Sequence, residues 1–264
     1  MTEEKIPKDL TCFIYRPERK LVQITIVARI RPKPGIVTEI STIISQLNTR
    51  ILSLTLTSRE DKRYITAVLD MTESKHNIKE LVNQLKQLDF IEQVKHLEPD
   101  YKGLLIDKHC FPVETMEGKI RALIIPTKTL SQIFAELWKE FGATAWVISF
   151  HQGYVLGEYL AQLIKNIVPD PLGQAKTLSA LYRACGWGIM DMTYFNPLTL
   201  SLRVKIEENF EPEAFPTMKE PVCHFTRGLF AGAAKVIWGR EFIVTETKCK
   251  AMGDPYCEFI IRKK

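Results

Sequence analysis

The stretch that decides the fold of the C-terminal half of this chain reads Thr245-Glu246-Thr247-Lys248-Cys249-Lys250-Ala251-Met252-Gly253-Asp254-Pro255-Tyr256-Cys257-Glu258-Phe259. Its centre, Gly253-Asp254-Pro255, is typical of a turn, and the flanking residues Glu241–Thr245 and Tyr256–Ile261 are typical of strands. Cys249 and Cys257 are equidistant from Gly253, so a hairpin that turns there would place their sulfur atoms side by side. Glu246, three residues before Cys249, reaches the same point.

A third cysteine, Cys223, opens the helix-like run that precedes this hairpin. Three thiolates and one carboxylate that converge on one point can complete a tetrahedral zinc shell with no open position. We therefore predict a structural zinc site made of Cys223, Glu246, Cys249 and Cys257.

Other interpretations of these residues remain open. Cys249 and Cys257 could be ordinary reduced cysteines of the core, or they could form a cross-strand disulfide. His224 is a rival to Glu246 as the fourth ligand. The neighbouring Lys248 and Lys250 favour a metal, because their ammonium groups would offset the negative charge of the ligand shell.

The pattern Cys223, Glu246-x-x-Cys249, Gly253-Asp254 and Cys257-x-Phe259 resembles the 4-vinyl reductase domain, which also serves as the aromatic-compound sensor of some bacterial transcriptional activators. The resemblance covers roughly Met116 to Lys263. It implies zinc held by the three cysteines and the glutamate, and a region that encloses a small hydrophobic or aromatic molecule.

Length and composition indicate a cytoplasmic protein of about two domains. The chain has 264 residues, of which 45% are hydrophobic and 25% charged, and no apolar run is long enough to span a bilayer. Its polar N-terminus is not typical of a signal peptide, and six cysteines without an export signal favour reduced thiols. The net charge of +5 is evenly spread, so no surface for nucleic acid is indicated.

Residues 21–98 are predicted to form a ferredoxin-like domain that follows an N-terminal extension, residues 1–20. Apolar residues alternate with period two in four segments and recur with helical spacing in two, and the resulting order is βαββαβ. The fold class is therefore α+β: a ferredoxin-like domain followed by an α/β domain that contains the zinc.

The Pro34-Gly35 break, the helix after it and Asn48 resemble the ACT domain, a regulatory module that often binds amino acids and forms dimers. The resemblance implies an effector site at Pro34, Gly35 and Asn48. However, Pro32 stands where many amino-acid-binding members carry an acidic residue. Dimerisation or an interaction role is therefore favoured over effector binding, and a homodimer is expected.

Residues 99–118 are predicted to be an irregular linker, and residues 119–264 the ligand-binding domain. Its first strand is expected over Ile120–Pro126, and a largely apolar helix over 143–167. Gly153 and Gly157 lie on one face of that helix, which favours tight packing against another helix. The predicted pocket is lined by aromatic side chains: Trp146, Phe150, Tyr154, Trp187 and Phe230.

No nucleophile–base pair, phosphate loop or dinucleotide fingerprint is present in the sequence, so an enzyme is not favoured. The preferred interpretation is a ligand-sensing regulatory protein that acts through a protein partner. One alternative is an enzyme or accessory factor of tetrapyrrole metabolism. The other is an assembly scaffold without a ligand.

Overall fold

The protein is described by a computed structural model that covers residues 5–30 and 35–264. The chain divides into two compact units, residues 1–123 and 124–264. Within the described ranges, no helix combines the length and the apolar character that crossing a membrane requires.

The first unit contains eight strands and two helices among its described residues. They are β1 (Phe13–Tyr15), β2 (Leu21–Arg29), α1 (Ile36–Gln46), β3 (Arg50–Arg59), β4 (Lys62–Asp70), α2 (Ile78–Lys86), β5 (Ile91–Leu97), β6 (Leu104–Ile106), β7 (Glu114–Thr115) and β8 (Ile120–Arg121).

Four of these strands form an antiparallel sheet in the order β3-β4-β2-β5. The register pairs Ile24 with Ala67 and Ile26 with Ile65, so one face of the sheet is continuously aliphatic. Helices α1 and α2 bury their apolar stripes, which include Ile40 and Leu81, in the same core. The element order β2-α1-β3-β4-α2-β5 is the predicted βαββαβ order of a ferredoxin-like fold.

Part of the stretch predicted to be an irregular linker is ordered in the first unit. Strand β6 pairs with β1 in a short antiparallel sheet, and Leu105 is buried against Leu21 and Val68. The predicted strand over Ile120–Pro126 is shorter than expected, because only Ile120–Arg121 pairs with another strand. The apolar residues after it are exposed and therefore gain nothing from a buried sheet face.

The second unit contains four helices and four strands. They are α3 (Thr127–Phe141), α4 (Ala143–Lys165), α5 (Pro171–Ala184), β9 (Ile189–Asn196), β10 (Ser201–Glu207), α6 (His224–Trp238), β11 (Phe242–Lys248) and β12 (Cys257–Lys263), with a short 3-10 turn at Lys250–Met252. The strands form one antiparallel sheet in the order β11-β12-β10-β9.

Helices α4 and α6 pack backbone against backbone through two pairs of glycines. A Cβ atom added to Gly157 would lie 2.1 Å from the carbonyl oxygen of Leu229, and one added to Gly228 would lie 1.9 Å from that of Phe150. Gly153 and Gly232 are equally close to the opposite helix. The predicted tight packing at Gly153 and Gly157 is confirmed.

Candidate metal centre

Three elements bring the predicted ligands together in the second unit. Cys223 is the residue before the first turn of α6, Glu246 lies in β11, and Cys257 begins β12. Cys249 lies between β11 and the 3-10 turn. In the hairpin, Lys248 pairs with Glu258, so the next residues inward, Cys249 and Cys257, face each other.

A β-bulge places Glu246 and Cys249 on the same face of the hairpin. Glu246 pairs with Phe259, but Lys248 pairs with Glu258, so β11 carries one extra residue between these pairs. In a regular strand, residues three apart point to opposite faces, and a bulge shifts that alternation by one. Burial follows the shift, because Val244 and Glu246 are buried and the next buried residue is Cys249.

The four side chains form one compact, buried cluster. The Sγ atom of Cys223 lies 3.8 Å from that of Cys249 and 3.7 Å from that of Cys257. One ligand atom from each of the four residues lies within 4.8 Å of the others. Sulfurs bound to one tetrahedral ion at about 2.3 Å would lie about 3.8 Å apart, so the observed spacing fits a metal ion without rearrangement.

Glu246 supports the same conclusion through its two oxygens. Oε2 accepts a hydrogen bond of 2.9 Å from the backbone N–H of Cys223, whereas Oε1 is buried and has no hydrogen-bond partner. A buried carboxylate oxygen without a partner is costly, and a bound cation removes that cost. The cluster could therefore hold a metal ion.

The alternatives considered for these residues do not match the structure. Cys223, Cys249 and Cys257 are free thiols, so no disulfide joins Cys249 to Cys257. His224 is not part of the cluster, because its ring stacks on Trp146 with the ring centroids 4.3 Å apart.

The electrostatics of the cluster also favour a cation. Burial raises the pKa of Glu246 to about 9 and that of Cys223 well above its usual value. Hydrogen bonds with the Cys223 and Cys249 thiols lower the pKa of Cys257 to about 5. Four acidic groups in so small a volume cannot all ionise by themselves, and a divalent ion reverses this by stabilising every deprotonated ligand.

The second unit also contains a small apolar cavity of about 40 Å³ between helices α5 and α6 and the sheet. Its lining is almost entirely apolar: Ala175, Leu178, Ser179, Met190, Met192, Leu202, Val204, Phe230, Ala233, Ala234, Ile237, Trp238 and Ile261. The hydroxyl of Ser179 donates to the backbone oxygen of Met190.

The part of the second unit that holds the metal cluster matches a known family. Residues 202–263 match the family model of the 4-vinyl reductase domain, which confirms the resemblance over this stretch. This matched segment (residues 202–263) contains all four residues of the cluster. An uncharacterized protein of Methanocaldococcus jannaschii is 28% identical over 166 residues, which are 58% of this chain and 70% of that protein.

Among solved structures, the phenol-responsive sensory domain of the transcription activator PoxR, solved with phenol, is similar with a TM-score of 0.51. It is 20% identical, and the match covers 58% of this chain and 84% of that domain, so it shows the fold alone. The ACT domain of GTP pyrophosphokinase from Chlorobium tepidum covers 30% of this chain and 99% of that domain, with 21% identity and a TM-score of 0.26. The ferredoxin-like assignment rests on strand order and register instead.

Of the predicted pocket residues, Phe230 of the matched segment lines the apolar cavity. The other four lie elsewhere in the second unit. Trp146 stacks between His224 and Trp138. Phe150 and Tyr154 lie on α4, and Trp187 packs edge-on against Tyr182.

The residues predicted for an effector site in the first unit have the following places. Gly35 precedes α1 with φ of 132°, a conformation open to glycine. Asn48 has a φ of 51°, and its side-chain amide donates to the backbone oxygen of Glu73 at 3.0 Å. Pro34 lies outside the described residues.

Two residues near the cluster were not expected from the sequence. Asn209, in the loop after β10, donates from Nδ2 to Cys223 Sγ at 3.3 Å. Asp254 accepts a hydrogen bond of 2.9 Å from the backbone N–H of Cys249. The adjacent Gly253, which ends the 3-10 turn with φ of 93°, is the sequence signal that could have identified Asp254.

Proposed function

We propose that this protein is a ligand-sensing regulator whose second unit is stabilised by zinc and binds a small hydrophobic or aromatic molecule. The observation that carries the proposal is the apolar cavity beside α5 and α6. Its lining offers almost no hydrogen-bonding groups, as expected for a hydrocarbon-like ligand. The fold-level likeness to the PoxR sensory domain, which responds to phenol, supports this ligand class.

The size of the cavity explains why binding would act as a signal. A cavity of about 150 Å³ is known to hold one benzene molecule, and the cavity here measures about 40 Å³. An aromatic ligand would therefore have to displace part of the wall. Met190 and Met192 are suited to this because the methionine side chain is flexible and unbranched. A ligand that binds only the expanded form shifts the population towards it, which is the physical content of sensing.

Zinc is the ion that best suits the four-residue cluster. Three soft thiolates favour zinc over magnesium or calcium, and a tetrahedral shell of four protein ligands leaves no open position. Cys223, Cys249 and Cys257 would supply sulfur, and Glu246 would supply Oε1. The ion would be structural: it would tie the start of α6 to the β11–β12 hairpin and take no part in catalysis.

The first unit would serve in dimerisation or as an interaction module, with an effector near Gly35 and Asn48 as a further possibility for this fold. The cytoplasmic location and the homodimer inferred from the sequence remain predictions. Regulatory output would pass through a protein partner that recognises the ligand-bound form.

Ligand binding can be tested with toluene, phenol and naphthalene on the full chain. We expect at least one of them to raise the melting temperature in a concentration-dependent way, because a ligand at about 100 times its Kd stabilises by about 2.7 kcal/mol. Trp238 lines the cavity, so its fluorescence should change in parallel.

The matched variant is Ala234→Leu, which fills the cavity from α6. It should lose the response to the ligand while it keeps its metal. An equal response in Ala234→Leu would place the ligand elsewhere. Absence of binding by all three compounds up to their solubility would contradict the proposed ligand class.

A further inference from the structure

A buried pair of hydrogen bonds connects helix α5 to the metal cluster. The hydroxyl of Tyr182 donates to Asn209 Oδ1 at 2.7 Å, and Asn209 Nδ2 lies 3.3 Å from Cys223 Sγ. All three residues are buried, with exposed fractions of 1%, 3% and 0% respectively. Water cannot replace either bond without opening the core.

The pair fixes which way the Asn209 amide points. A side-chain amide has one accepting oxygen and one donating nitrogen, and a tyrosine hydroxyl that donates to the oxygen leaves the N–H group for the opposite side. The opposite side is the sulfur of Cys223. A thiolate accepts this hydrogen bond well, whereas a neutral buried thiol has little need of a donor.

We infer that Asn209 and Tyr182 are positioning residues of the metal centre: Asn209 holds the Cys223 sulfur by an N–H···S hydrogen bond, and Tyr182 orients Asn209. This inference rests on the proposed zinc site. Groups outside the ligand shell commonly orient the ligands and tune their bonds to the metal, and hydrogen bonds to sulfur make it a weaker electron donor.

Both residues lie outside the motif that suggests the site. Asn209 is fourteen residues before Cys223, and Tyr182 is twenty-seven residues before Asn209. Tyr182 also lies on α5, outside the matched segment. The second unit therefore uses a helix beyond the matched segment to complete the surroundings of its metal ligands.

The test uses the full chain, stripped of metal under reducing conditions and titrated with cobalt(II) as a spectroscopic substitute for zinc. In the wild type we expect the intense sulfur-to-cobalt charge-transfer absorption of a tetrahedral thiolate site. Asn209→Leu keeps the size and neutrality of the side chain but removes the donor. Its charge-transfer band should move to longer wavelength, because the sulfur becomes a stronger electron donor.

Zinc affinity, measured by competition with a chelator, gives the second readout. Asn209→Leu should weaken zinc binding by about 10- to 100-fold, the usual effect of losing an outer-shell partner. Tyr182→Phe should cause a smaller change in the same direction, and it should add little when Leu already replaces Asn209. Tyr194→Phe, an exposed tyrosine on β9, is the matched control and should leave band and affinity unchanged.

The outcomes separate this inference from the proposal beneath it. A purely structural role would lower the melting temperature of the variants but leave the cobalt band and the zinc affinity of the folded protein unchanged, and that result would overturn the inference. Wild-type protein that binds neither metal would overturn the zinc site itself. Should Asn209→Leu fail to fold, Tyr182→Phe decides the question, because it removes a single hydroxyl.

Discussion

The cores of the two units differ in what they need from outside the chain. The core between the first unit's sheet and helices is built from aliphatic side chains with one phenylalanine, Phe90. The core of the second unit includes three thiols, and the Glu246 carboxylate is buried beside them. Apolar burial alone stabilises the first core, whereas the second buries acidic groups that a cation has to neutralise. The comparison teaches that one chain can contain a self-sufficient core and one that depends on a bound ion.

The largest expected effect comes from Cys249→Ser. The variant should lose the metal, and the free energy of unfolding of the second unit should fall by more than about 5 kcal/mol, because binding of a structural zinc contributes about 10–16 kcal/mol. Metal content per chain and thermal unfolding measure the two effects. Cys12→Ser makes the same chemical change at an exposed position and should alter neither quantity.

A substitution in the other core sharpens the comparison. Leu81 of α2 is fully buried among aliphatic side chains of the first unit. Leu81→Ala should cost about 2–5 kcal/mol, the usual range for removing a buried leucine. Metal content should stay at the wild-type value. Loss of metal in this variant would mean that the two cores do not depend on separate interactions.

The packing of α4 on α6 should give the next largest effect. Gly157→Ala places a methyl group where the Leu229 carbonyl oxygen lies 2.1 Å away, so the helices must separate. We expect a loss of about 1–3 kcal/mol in the free energy of unfolding, as for other overpacked cores. Val155→Ala, on the exposed face of the same helix, controls for changes in the helix itself and should stay within about 0.5 kcal/mol of the wild type.

The smallest effect concerns pH and the buried Glu211. Its carboxylate accepts hydrogen bonds from the backbone N–H groups of Phe225 and Thr226, at the first turn of α6. Burial nevertheless raises its pKa to about 8, above the value of about 4.3 in an unfolded chain. The stability contributed by this group is therefore fully present below about pH 4.3 and is lost as the pH rises towards 8.

Glu211→Gln removes this titration. The difference in free energy of unfolding between wild type and variant should change with pH by at most about 1.4 kcal/mol per unit between pH 5 and 8, with the wild type losing stability as pH rises. Denaturant unfolding at several pH values measures it. Glu213→Gln checks the effect of removing one negative charge from the same loop. A pH-independent difference for Glu211→Gln would contradict the burial argument.

Much of the fold could be predicted from the sequence because apolar spacing is a local property. Alternation in β2 and the helical period in α2 follow from the residues themselves, and the structure has both elements where the spacing placed them. The turn at Gly253 likewise follows from local backbone preferences. The ends of elements were less certain, as the short β8 shows, because pairing partners decide them.

The ligand cluster shows both the reach and the limit of such reasoning. The residue types and the turn predict that Cys249 and Cys257 meet. Alternation along a regular strand, however, would place Glu246 on the opposite face from Cys249, and only the bulge in β11 brings them together. A bulge depends on the pairing between strands, so a single strand's sequence does not reveal it.

The positioning pair and the cavity lie beyond local reasoning for a related reason. Tyr182 and Asn209 meet only because α5 and the loop after β10 pack side by side, and no spacing in the sequence records that contact. Aromatic content indicated a pocket, but the cavity walls include alanines and methionines such as Ala233 and Met190, which have no distinctive pattern in a sequence.

The most direct test of the metal centre is native mass spectrometry of the full chain, gently purified without chelators, followed by alkylation of its thiols. We predict the mass of the chain plus one zinc ion, and protection of Cys223, Cys249 and Cys257 until a chelator removes the metal. A folded chain that carries no metal, with the melting temperature unchanged by added zinc, would contradict the account.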